Sequence, residues 1–110
     1  MSSARGLKLI GLLGLGLVVT LAGTPGFAAD ARNGEQLARR WCVACHVVAS
    51  SQHRSSTDQA PPFATIASRP GFNTGKLALF LLDPHPKMPD MGLARTQAAD
   101  LAAYIQTLAR

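Results

Sequence analysis

Apolar residues along this chain fall either at helical spacing or in one continuous run, and no stretch shows the two-residue alternation of a half-buried strand. From about Ala31 to Cys45, the residues Gly34, Leu37, Ala38 and Trp41 recur three and four apart, which predicts one helix with a single apolar face. Val48 to Pro62 loses that period and is rich in Ser, Gln, Thr and Pro, the composition of a loop. Phe63 to Ala67 predicts a short helical turn, broken by Pro70-Gly71. A third helix is expected from about Thr74 to Asp83, apolar almost all round through Leu77, Leu79, Phe80, Leu81 and Leu82, and ended by Asp83-Pro84. The last begins near Thr96, a residue type suited to an N-cap, and carries Leu101, Tyr104, Ile105 and Leu108 on one face. The expected fold class is therefore all-α, in one small domain without internal repeats.

The continuous run, Leu9 to about Gly23, follows Arg5 and Lys8 and precedes Thr24-Pro25-Gly26. It is short against the ~20 apolar residues of a membrane helix and reads as a secretory leader. Gly26-Phe27-Ala28 puts small residues first and third before a cut, whereas a cut after Ala29 would put Phe27 there. The expected division is a signal peptide at residues 1–28 and a domain at 29–110, with an uncleaved anchor as the alternative. Without the leader the formal net charge of +5 falls to +3, nine Lys and Arg against six Asp and Glu. These cations are scattered and not interleaved with aromatics, which excludes nucleic-acid binding and leaves docking to a mildly acidic partner. A domain of this size has a thin core and usually needs a cofactor or staple.

Cys42-Val43-Ala44-Cys45-His46 offers one. Cys-x-x-Cys-His is the attachment pattern of c-type haem, and with two Cys and three His in the chain random shuffling would produce it roughly once in two thousand trials. On a helix these residues stand at i, i+3 and i+4, so two thiols and an imidazole share one face. A thioredoxin-like redox pair would need a βαβ context. Zinc would need four ligands, and His53 and His85 lack paired spacing. A disulfide between residues three apart would leave His46 unexplained. Haem attachment outside the cytoplasm agrees with the leader, and the chain without haem is expected to be largely unfolded.

A six-coordinate iron needs a second axial ligand, and His85-Pro86-Lys87-Met88-Pro89-Asp90-Met91 holds three candidates. Prolines stiffen this loop around Met88, the preferred ligand, with Met91 the alternative and His85 behind it. Solvated loop positions are the plain reading of His85 and His53. Arg69 and Lys76 are candidate partners for the haem propionates, with solvated surface charge as the competing reading.

With these residues in view, the whole domain resembles the class I monohaem c-type cytochromes. The resemblance rests on Gly34 eight residues before Cys42, the Cys42–His46 motif, Pro61-Pro62-Phe63, Met88-Pro89, and Leu101-Ala102-Ala103-Tyr104. It implies the small cytochrome c fold, three to four helices around a covalent haem with the first and last crossing at Gly34, Leu101 and Tyr104. It also implies that the histidine Nδ1 donates to a proline carbonyl, Pro61 best and Pro62 otherwise. The family's methionine lies sixteen or seventeen residues before the tyrosine, as Met88 does from Tyr104. The aromatic often found four residues before the first cysteine is Ala38 here, with Trp41 nearby, and the lysine ring of mitochondrial relatives is missing.

These readings lead to an exported, periplasmic electron carrier. It is expected to be a monomer with haem c (iron) bound through Cys42, Cys45, His46, Met88 and Pro61, and with no stable membrane span after cleavage. His/Met ligation leaves no open iron position and raises the reduction potential. The electron donor and acceptor would be redox proteins such as a membrane complex or a periplasmic dehydrogenase. The alternatives are a haem subunit held permanently by a periplasmic oxidoreductase, favoured by a large exposed apolar patch such as the third helix could form, and a ligand-binding or peroxidatic haem with Met88 off the iron. Lys87, beside the proposed ligand, is placed to steer an acidic partner.

Overall fold

The computed structural model describes residues 23, 28–54, 57, 59–84 and 86–110; the leader, its cleavage after Ala28 and His85 therefore fall wholly or partly outside the described residues. Among those described there are four α-helices and no strand: α1 Ala31–Leu37, α2 Phe63–Ala67, α3 Thr74–Leu82 and α4 Arg95–Gln106. None is long and apolar enough to cross a membrane.

Asp30 starts α1, its carboxylate accepting from the N–H groups of Arg32 and Asn33. The face expected from the sequence is the one buried: Gly34, Leu37 and Ala38 are in the core and Trp41 packs at its edge. The helix does not run regularly to Cys45. It widens into a π-helical segment, Ala38–Cys42, where the Val43 N–H reaches back five residues to the Ala38 carbonyl at 3.1 Å. A turn follows, in which the N–H groups of Cys45 and His46 share the Cys42 carbonyl at 3.1 and 2.9 Å. The attachment motif is thus a hydrogen-bonded turn at a helix end, not part of a helix interior.

α1 crosses α4 at Gly34, as the resemblance implied. A Cβ on Gly34 would run into the Asp100 carbonyl and come within 2.8 Å of Tyr104 Cβ, so only glycine allows the backbones this close. Asp100 ties the same crossing from its edge, accepting from the Asp30 N–H and from Asn33 Nδ2, both at 2.7 Å. Leu101, Tyr104 and Ile105 of α4 fill the core with Leu37, Ala38, Val48, Phe63 and Leu81.

α2 has the expected bounds. α3 starts from Asn73, whose side chain accepts from the Lys76 N–H at 2.9 Å. It is not buried all round: Leu81 is in the core, whereas Leu79 is 67% exposed and Phe80 44%. α4 begins one residue before Thr96, with Ala94 at the cap. Alanine has no oxygen to offer, and the Gln97 side chain instead accepts from the Ala94 N–H at 2.9 Å.

Candidate functional site

The motif turn, the Pro61 strand of loop and the 86–91 segment close around two clefts that share Cys42, His46, Pro61 and Met88. The deeper one, about 390 Å³, is walled by apolar side chains of α2, α3 and α4, among them Phe63, Ile66, Leu81, Leu101 and Ile105. The outer one, about 210 Å³, opens past Trp41, Cys45, Lys87 and Met91. An apolar slot with two thiols, an imidazole and a thioether on its lining has the donor set and the wall chemistry that a covalent haem requires.

The histidine side is tightly built. His46 Nδ1 lies 2.7 Å from the Pro61 carbonyl, which takes the Nδ1 proton and leaves Nε2 for a metal. Pro61 rather than Pro62 makes this contact. The backbone explains why: the Phe63 N–H donates to the Val47 carbonyl at 2.9 Å and fixes the proline segment against the motif. The Phe63 ring packs on the imidazole, centroids 5.2 Å apart at 48°. Next in the chain, the Tyr104 hydroxyl donates to the Val48 carbonyl at 2.7 Å, a buried bond from α4. Gln52 completes the set: its Oε1 accepts from the Val48 N–H at 3.0 Å, and its Nε2 donates to the carbonyls of His46 and Arg54 at 3.1 and 2.9 Å. Nothing in the sequence marked Gln52, which stands among polar loop residues.

The two thiols differ. Cys42 is buried and Cys45 exposed. Burial, and secondarily the neighbouring Cys45, pushes the Cys42 thiol up to about 11, so in the folded chain it stays protonated at neutral pH. Met88 is half-buried, packs on the core and lines both clefts; Met91 lines only the outer one. Arg69 lines the deeper cleft and Lys76 lines neither. Trp41 stands at the outer rim with the Arg40 guanidinium 5.7 Å from its ring centroid, while Ala38 is fully buried. His53 is exposed beside a separate cavity bounded by Pro62 and Arg110. Among the described residues no three His, Cys, Asp or Glu side chains gather into a further metal site.

Residues 31–109 match the family model for cytochrome c. The chain is 54% identical over 92 residues to cytochrome c-552 of Bradyrhizobium diazoefficiens, an alignment covering 84% of this chain and 88% of the relative. No solved structure matches the chain.

Proposed function

The chain belongs to the cytochrome c family, an electron-transfer protein with one covalently bound haem c, and on that premise we propose that it is a periplasmic carrier whose iron is held between His46 and Met88. The observation that carries this reading is the convergence of Cys42, Cys45, His46 and Met88 on one apolar slot, with the His46 ring locked on Pro61 at 2.7 Å. The haem supplies a one-electron Fe(II)/Fe(III) couple when bound. The chain supplies the rest. Cys42 and Cys45 would hold the porphyrin by thioethers, and His46 would present Nε2 because Nδ1 is committed to Pro61. The apolar wall of Phe63, Ile66, Leu81, Leu101 and Ile105 would keep water from a bound porphyrin, which would raise its potential along with the thioether. Pro86 and Pro89 stiffen the Met88 loop, which would limit its rearrangement when a bound haem changes oxidation state. The rim at Trp41, Cys45 and Lys87 is where a redox partner would approach, and Lys87 would favour an acidic one.

Export and cleavage after Ala28 belong to the same proposal, supported by the leader pattern of residues 1–28. An intact-mass measurement on the periplasmic fraction tests both together: the expected mass is residues 29–110 plus one haem, and a haem-bearing chain that retains residues 1–28 would overturn the cleavage. A second reading, a subunit held by a periplasmic oxidoreductase, is favoured by one observation, the exposure of Leu79 on α3. Gel filtration of the native periplasmic extract separates the two, a carrier eluting at its own mass and a subunit at that of its complex.

A further inference from the structure

We infer that Gln52 is the positioning residue of the axial histidine, an inference that rests on the reading of His46 as the iron ligand. The described residues between 43 and 62 form no helix or strand that could pair their backbone, yet the polar groups beside His46 lie next to a buried apolar slot where an unpaired one is costly. Four of them meet partners in the fold. The Val47 carbonyl takes the Phe63 N–H, and the Val48 carbonyl takes the Tyr104 hydroxyl. The His46 carbonyl and the Val48 N–H are an acceptor and a donor two residues apart in the chain. One amide side chain answers both: Gln52 Nε2 donates to His46 and Oε1 accepts from Val48.

The orientation of that amide is forced. An N–H faces one end and two carbonyls the other, so oxygen and nitrogen cannot be exchanged. The second Nε2 bond, to the Arg54 carbonyl at 2.9 Å, ties the side chain to the backbone two residues further on. The Gln52 N–H closes the turn on the Ala49 carbonyl at 3.1 Å. Gln52 thus clamps the histidine from its backbone side while Pro61 holds it from the ring side. Without the clamp, the His46 backbone can pivot and the 2.7 Å bond to Pro61 must lengthen.

The test uses the haem-loaded protein and NMR in both oxidation states. In the wild type, the His46 ring signals should be strongly shifted by the ferric iron, and the Nδ1 proton of the reduced protein should exchange slowly. Gln52→Leu, which removes all three side-chain bonds, is expected to speed Nδ1–H exchange at least tenfold and to move the ferric His46 shifts. Gln52→Glu keeps the acceptor for Val48 but loses the donor to His46. It should do the same, and it serves if the leucine variant does not fold. Asn73→Ala, which removes the remote cap of α3, is a control for general destabilisation and should leave both readouts unchanged. Wild-type exchange and shifts in both Gln52 variants, or equal acceleration in Asn73→Ala, would overturn the inference. Wild-type His46 signals without iron shifts would instead overturn the ligand reading on which it rests.

Discussion

The two sides of the haem slot are built in opposite ways. On the histidine side, the carbonyls of His46, Val47 and Val48, the Val48 N–H and the imidazole Nδ1 all have partners within 3.1 Å, and Val48 and Phe63 are buried. On the methionine side, the described residues between α3 and α4 form no helix or strand, and Lys87, Pro89 and Asp90 are exposed around a half-buried Met88. Its shape comes from Pro84, Pro86 and Pro89 and from an Asx-type turn in which the Gly92 N–H donates to Asp90 at 2.8 Å. The histidine is held by the fold, whereas the methionine is held by a stiff tether and, in the proposed ligation, would be held by the iron. Changes on the first side should therefore be felt in stability, and changes on the second in ligation and ligand access.

The largest expected effect removes what joins both sides. A Cys42→Ala, Cys45→Ala variant should lose most of its helical circular dichroism; a native-like spectrum would contradict the view that so thin a core needs its cofactor. The haem-free wild-type chain offers a parallel check. If it is largely unfolded, both thiols react alike with iodoacetamide, whereas a folded chain would protect Cys42, which is buried and raised to about 11.

On the histidine side, Gly34→Ala comes next. Helix propensity would favour alanine by about 1 kcal/mol, but the added methyl meets the Asp100 carbonyl, which cannot swing aside. The clash should win and destabilise by about 3 kcal/mol in urea titrations. Tyr104→Phe leaves the Val48 carbonyl buried without its donor and should cost about 1–3 kcal/mol. It should also change the alkaline limb of the stability curve. Burial first, and then Glu35, holds the Tyr104 phenol above its ordinary value, with Arg39 opposing. The folded state thus keeps a proton that the unfolded state loses above pH ~10. The contribution is complete below that pH and fades as pH rises through the folded value, and the phenylalanine variant should lack that decline.

The smallest stability effects belong to the methionine side. Pro86→Ala and Pro89→Ala should each cost only about 0.4–1 kcal/mol, through the entropy of the unfolded chain. Their signature should be kinetic, a faster binding of carbon monoxide by the reduced protein as Met88 leaves the iron more often. Equal losses of stability on the two sides would break the contrast.

The same contrast explains what could be read from the sequence. The attachment motif was legible because covalent chemistry ties residue types to a fixed spacing, and the crossing at Gly34, Leu101 and Tyr104 was legible through the family resemblance, as was Pro61. The end of the first helix was not: periodicity continues to Cys45, but the widening at Ala38–Cys42 is a backbone choice that leaves no mark on residue type. The start of α4 was misjudged because Thr96 is a good cap residue, while the bond actually made comes from Gln97 reaching back to Ala94. Asp100 acts across the fold and Gln52 on backbone groups of its own loop, and residue type alone says nothing of either set of partners.

Methionine ligation by Met88 is the central claim, and the far-red methionine-to-iron charge-transfer band of the oxidised protein tests it most directly. The band should be present in the wild type, absent in Met88→Ala and retained in Met91→Ala. A band that survives in Met88→Ala and vanishes in Met91→Ala, or that is missing from the wild type, would contradict the account.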